Sequence, residues 1–224
     1  MADPLQIQIV SDLVCPWCYV GKRRLERALA SRPDLPVSLT WLPFQLSPDM
    51  PREGKDRQAH YAAIFGPERA RTIMDGMRQT GAAEGLRFEA APGARSPNTL
   101  SAHVLLYWAG ERPEVDQNAI AEKLFAAHHT HSEDLGDPAV LARIAGEVGM
   151  DPAEVEAGLR AGRDEDRVQA LIEEARQVGV TGVPFFIFNG QYAVSGAQPP
   201  EALLDVIDRL SAGAASAATG IDRG

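Results

Sequence analysis

At 224 residues the chain is long enough for one large domain, or for a small domain carrying an insertion, and it can bury a core without disulfide staples. With 45% hydrophobic and 24% charged residues, 20 Gly and 16 Pro, the composition excludes the fibrous and the disordered classes. A net charge of −9 argues against a broad basic face, so nucleic acid is not an expected ligand.

The chain opens with alternation. Leu5, Ile7 and Ile9 interleave with Gln6 and Gln8, the period of a strand, which ends near Ser11 and Asp12. Beyond Cys15-Pro16-Trp17-Cys18, the residues Gly21, Leu25, Ala28 and Leu29 share one helical face, with Lys22, Arg23, Arg24 and Arg27 elsewhere, until Pro33 and Pro36 break the pattern. Val37, Leu39 and Trp41 then alternate with Ser38 and Thr40 in a second strand, so the opening is β-α-β.

From Lys55 to Val178 every periodic segment reads as helix. Ser96-Pro97, Asp137-Pro138 and Asp151-Pro152 are N-cap signals, the last with Glu154 at a capping-box spacing. Leu100, Val104, Tyr107 and Trp108 form one apolar stripe, and Val168, Leu171, Ala175 and Val178 another. Strand signals return at Phe185–Phe188, where Asn189-Gly190 predicts a hairpin to Tyr192 and Val194, and Leu203, Ile207 and Leu210 mark a closing helix. The layout is that of an α/β domain interrupted by an all-helical insertion: the α/β elements in 1–50 and 166–212, the insertion in 51–165, and a frayed small-residue tail in 213–224.

No stretch approaches the roughly 20 apolar residues of a membrane span, and Met-Ala-Asp-Pro-Leu-Gln-Ile has neither the basic nor the hydrophobic region of a secretory signal. A cytoplasmic location without membrane association is therefore expected. In a reducing compartment two cysteines seldom form a structural disulfide. Their position offers another reason: Cys15 falls at the junction of strand and helix, where its thiolate would face unpaired backbone N–H groups and the positive end of the helix dipole. Cys18, one turn later, is within reach to attack a mixed disulfide on Cys15 and resolve it. A CxxC pair is also half of a zinc site, but the other candidate ligands, His128, His129 and His131, lie more than 100 residues away at a helix end that reads as solvated surface, so no metal is expected.

The run Ser11-Asp12-Leu13-Val14-Cys15-Pro16-Trp17-Cys18-Tyr19-Val20-Gly21-Lys22, then Asn98-Thr99 with Ala102-His103, Gly179-Val180-Thr181-Gly182-Val183-Pro184-Phe185-Phe186, and Ser195-Gly196-Ala197-Gln198 resembles the DsbA-like branch of the thioredoxin superfamily, most closely its FrnE-like group. The resemblance spans nearly the whole chain. It implies a thioredoxin fold with a helical insertion, and it implies that Val183-Pro184 is the cis-proline element beside the active-site thiols. Such a proline would present the backbone of Val183 to a bound peptide or thiol substrate as a short strand, offer no N–H, and shield the thiols from metal ions.

Thiol–disulfide exchange is the activity implied, with Cys15 as nucleophile, Cys18 as resolving thiol and Pro184 beside them. Pro16, Trp17, Val183 and His103 are the candidate substrate contacts, Trp17 as a half-exposed apolar rim. For His103 a satisfied interfacial role stands beside the substrate-facing one. Pro16-Trp17 lacks the histidine that exported strong oxidants of the superfamily carry there, so a less oxidising couple is expected. No bound cofactor is required; glutathione or another thiol is a candidate redox co-substrate, the partner being a protein or small-molecule thiol or disulfide, and monomer and homodimer both fit. Two alternatives stay open. One is a glutathione-dependent isomerase or transferase of the 2-hydroxychromene-2-carboxylate isomerase or kappa-class type, families that typically hold serine at the position of Cys15; the other is a client-binding protein whose thiols sense redox state.

Overall fold

Alternating side chains in β1 (Leu5–Ser11) put Leu5, Ile7 and Ile9 on one buried face, and each fully buried aliphatic or aromatic side chain of this kind contributes about 1.5–3 kcal/mol. The computed structural model describes residues 3–219. In it β1 is central in a sheet of order β2-β1-β5-β6, with β2 (Val37–Pro43) parallel to it, β5 (Phe185–Phe188) antiparallel to it, and β6 (Tyr192–Ser195) antiparallel to β5. Ile9 pairs with Trp41 on one side and Phe186 on the other. The expected hairpin forms at Asn189 and Gly190, whose φ values of 49° and 66° suit the tight turn that matches strand twist. Helix α1 (Pro16–Ala30) lies beside the closing helix α9 (Pro200–Thr219), and their Leu25, Ala28, Leu203 and Ile207 join Ile7, Ile9 and Phe186 in one core. This is a thioredoxin fold carrying a helical insertion.

The insertion holds α2 (Arg57–Phe65), α3 (Pro67–Ala83), α4 (Leu100–Gly110), α5 (Gln117–His129), α6 (Pro138–Gly146) and α7 (Pro152–Arg160), after which α8 (Glu165–Gln177) leads back to the sheet. It is not purely helical: β3 (Lys55–Asp56) pairs with β4 (Arg95–Ser96), a ladder too short to leave an alternation in the sequence. It has no separate core either, because Leu124, Phe125 and Leu141 belong to the same apolar cluster as Ile9. Gln117 of α5 seals the edge strand by accepting from the Trp41 backbone N–H (2.9 Å) and donating to its carbonyl (3.3 Å). Lys22, buried on α1, is held by Glu26 and by Glu122 of α5, and Glu122 also accepts from the Tyr19 hydroxyl at 2.7 Å. These contacts dock α5 against α1 and β2.

Several local expectations shift. Asp137 and Asp151 do cap their helices, accepting from Ala139 and from Ala153 and Glu154, but the Glu154 side chain turns outward to Arg112 and Arg163 instead of completing a box. Ser96 is not a cap: it lies in β4, and α4 begins at Leu100 with Asn98 accepting from the Leu100 N–H. On α8 the buried face is Val168, Ile172 and Ala175, while Val178 is exposed at the helix end. The tail expected from 213 begins inside α9, whose backbone continues to Thr219; residues 220–224 lie outside the described residues.

The largest departure concerns the end of α5, where His128 and His129 are buried rather than solvated. His129 lies among Tyr19, Phe88 and Phe125, and its Nε2 is 3.2 Å from the Leu13 carbonyl, to which it donates. His128 Nδ1 accepts from Arg57, so that nitrogen carries no proton. Burial, then the charge of Arg57, pushes His129 down to about 3, and burial with the neighbouring His129 and Arg57 pushes His128 well below its ordinary value. Among the described residues no group of three or more His, Cys, Asp or Glu is arranged to hold a metal, and no helix is long and apolar enough to cross a membrane.

Two predictions follow from packing and protonation. A Cβ on Gly21 would come within 2.9 Å of Pro184 Cγ and 3.2 Å of Phe186, both buried, whereas one on Gly76 meets nothing within 4 Å. Gly21→Ala should therefore cost about 1–2 kcal/mol in urea unfolding, overpacking exceeding the helix-propensity gain, and Gly76→Ala should gain about 0.5–1 kcal/mol. Neutral His128 and His129 bind protons only once unfolded, so the unfolded state gains protons as pH falls below its value of 6.5. Stability is complete above that value and should fall by about 2 kcal/mol per imidazole by pH 5. His129→Gln should flatten this slope when unfolding midpoints are compared at pH 7 and pH 5.

Candidate active site

Between β1 and α1 the chain turns through Asp12, Leu13 and Val14, with Cys15 N–H donating to the Asp12 carbonyl at 3.0 Å. Asp12 is buried. Its carboxylate accepts from the Leu46 N–H at 2.8 Å, which pins the loop after β2 to the end of β1. Cys15 is the N-cap of α1, extended at φ −84° and ψ 112°, with Pro16 following at the first helical position and no acidic residue in the first turn. The strand-to-helix junction thus sets its sulfur at the positive end of the helix.

Cys15 and Cys18 are both unbonded thiols, and both are buried. The Cys15 thiol donates to the Val183 carbonyl, Sγ to O 3.7 Å, and the Val183–Pro184 bond is cis, as the resemblance implies. The Pro184 ring is buried against Gly21, so α1 and the loop before β5 touch at the thiols. Cys18 N–H closes the first helical turn onto the Cys15 carbonyl. Burial first, then the hydrogen bond to and the charge of Cys15, push the Cys18 thiol well above its ordinary value, so Cys18 stays protonated. The two thiols are chemically distinct: one opens on a cleft, the other is sealed inside and keeps its proton.

That cleft, about 340 Å³, runs from Cys15 and Trp17 under α2 and α3 to His128 and His129. Trp17 is 44% exposed at its rim, with Leu46, Ile64 and Phe65 also exposed there. Pro16 lines the same space. His103 does not: its side chain is fully buried, with Nε2 3.5 Å from Asp12 Oδ1 and neither ring nitrogen hydrogen-bonded among the described residues. The helical face that carries it is turned inward by the contact of α4 with β2, so the substrate-facing reading of His103 is corrected to a place beneath the site, beside Asp12. Sequence reasoning missed Asp12 and Arg57. Asp12 stood in the quoted run next to the cysteines and could have been singled out; nothing local distinguishes Arg57 from the other basic residues.

A family model for the DsbA-like thioredoxin domain matches residues 6–208. The chain is 32% identical to a probable DsbA oxidoreductase from Streptomyces coelicolor, covering 92% of this chain and 89% of that one, with a TM-score of 0.79. It is 26% identical to the uncharacterized protein YwbO of Bacillus subtilis (strain 168) over 86% of this chain and 90% of that protein. A 2-hydroxychromene-2-carboxylate isomerase shares the fold, with a TM-score of 0.69, 94% and 98% coverage, and 14% identity. At 14% identity the likeness to the isomerase shows the fold alone. With the match extending over nearly the whole sequence and the paired thiols seated at the start of α1, the chain belongs to the DsbA-like thioredoxin domain family.

Proposed function

We propose that the protein is a thiol–disulfide oxidoreductase in which Cys15 is the nucleophile and Cys18 the resolving thiol. The observation that carries this reading is the asymmetry of the pair: Cys15 caps α1 beside the Val183 carbonyl at the mouth of a cleft, and Cys18 is sealed one turn in with its proton retained. Cys15 thiolate attacks a substrate disulfide, one substrate thiolate leaves, and a mixed disulfide forms. Cys18 then gives up its proton and attacks Cys15 sulfur. The second substrate thiolate leaves, and two electrons have passed from the dithiol to the substrate. The reverse sequence oxidises a dithiol.

The proton of Cys18 needs an acceptor. Asp12, whose backbone lies against Cys18 and whose carboxylate sits beside the unpaired ring of His103, fits that role. Val183 offers backbone to an extended substrate, and Trp17 with Pro16 supplies an apolar rim. The substrate is a protein or small-molecule thiol or disulfide, with glutathione or another thiol restoring the starting state in the cytoplasm; no bound cofactor enters any of these steps.

In an insulin-reduction assay Cys15→Ser should lose all turnover, and Cys18→Ser should accumulate mixed disulfides seen by mass spectrometry. Full activity in Cys15→Ser overturns the reading, and glutathione-dependent isomerisation surviving that change would put the isomerase in its place. Asp12→Asn should slow resolution of the mixed disulfide by about 10²-fold while leaving its formation within a few-fold, because only the second step takes the proton of Cys18. Stopped-flow Trp17 fluorescence separates the two steps.

A further inference from the structure

Among the described residues two cations, Lys22 and Arg57, are buried, and they are treated differently. Lys22 has two carboxylates, Glu26 and Glu122. Arg57, at the first position of α2 and 6% exposed, has none: among the described residues it joins no ion pair. Its contacts are neutral acceptors only. Nε donates to the Arg95 carbonyl (3.1 Å), Nη1 to the Glu89 carbonyl (3.4 Å), and Nη2 to His128 Nδ1 (3.1 Å) and the His128 carbonyl (3.3 Å). A guanidinium has five N–H donors, so one on Nη1 is left over. The charge of Asp134 acts on the guanidinium, but no carboxylate touches it, and a buried charge without a contacting counter-ion is costly unless one arrives.

Arg57 lines the cleft onto which Cys15 opens. Around it the walls are apolar, with Met74, Met77 and Phe88 inside and Ile64 and Phe65 exposed at the rim. The acidic groups of the cleft are occupied or turned away. Asp12, at the Cys15 end, accepts from the Leu46 N–H, and Glu89 uses its backbone, its side chain being exposed. His128 and His129 are held neutral, so neither competes for an anion nor shares the charge. An apolar space of about 340 Å³ with one fixed cation in its wall that no carboxylate touches suits a particular kind of occupant.

We propose that this cleft binds a small organic acid, its apolar body filling the space under α2 and α3 and its single carboxylate pairing with Arg57. Binding requires no thiol chemistry. The proposal therefore goes beyond the oxidoreductase reading and is testable where that chemistry is switched off.

The experiment is titration calorimetry of the full-length chain carrying Cys15→Ser and Cys18→Ser with 4-phenylbutyrate and with the neutral 4-phenylbutyramide. The acid should bind at least about tenfold more tightly than the amide, and Arg57→Gln should abolish that preference. Equal affinities, no measurable binding of the acid, or a preference kept in Arg57→Gln would each overturn the proposal. Should circular dichroism show that Arg57→Gln does not fold, Ile64→Glu, at the half-exposed rim, serves instead. A carboxylate placed there should weaken the acid by about fivefold or more and the amide less, and an unchanged acid affinity refutes the site. In the thiol-containing protein the acid, and not the amide, should also slow alkylation of Cys15 by iodoacetamide; absence of protection places the acid elsewhere. Loss of disulfide turnover in the cysteine variants bears on the oxidoreductase reading alone, so the two failures are distinguishable.

Discussion

Everything at the active site depends on how closely α1 can approach the loop before β5. Gly21 is the point of contact: with no side chain there, the buried ring of Pro184 comes within 2.9 Å of where a Cβ would be. That approach brings the Val183 carbonyl to the Cys15 sulfur and makes a single site from segments 168 residues apart. It is held from the other side by the sheet, in which β1 and β5 are paired so that Val10 stands opposite Phe185 just before each chain leaves for the site. The geometry at the thiols is thus a consequence of one glycine and one strand register.

A second layer of contacts keeps α1 in place. Lys22 and Tyr19 meet Glu122 of α5, and Tyr19 stacks on Phe125 at 5.1 Å between ring centres. Gln117, at the start of α5, meanwhile satisfies the edge backbone of Trp41 on β2. The insertion is therefore a wall of the site as well as an addition to it, since removing α5 would leave the buried lysine with Glu26 alone and the outer backbone of Trp41 without Gln117. The same helix ends in the two histidines that close the inner end of the cleft, and its burial there keeps them uncharged.

Polar groups are distributed around the thiols with one purpose on each side. Beside the thiols lie Asp12 and His103, both buried, with neither ring nitrogen of His103 hydrogen-bonded among the described residues. In front of Cys15 lies an apolar cleft whose charged feature is Arg57. A sealed, protonated Cys18 thiol on one side and a buried guanidinium that no carboxylate touches on the other give the two sides of the site different electrostatics.

Much of this was readable from local patterns. The period of two in Leu5, Ile7 and Ile9, the Asn189-Gly190 turn, the Asp caps before Pro138 and Pro152, and the position of Cys15 ahead of a helical stripe each depend on neighbours a few residues away, so the sequence by itself determined them. The seating of His128 and His129 among aromatic rings, the inward turn of His103, the exposure of Val178, the short β3–β4 ladder and the burial of Arg57 could not be read in that way. Each is decided by which distant surface packs against the residue, and burial, not residue type, sets whether an imidazole is charged or a guanidinium lacks a partner. The thiol pair and its scaffold are therefore properties of the chain, while the protonation behind it and the charge in the cleft before it belong to the tertiary structure, because only the folded arrangement fixes the local dielectric and the partners within it.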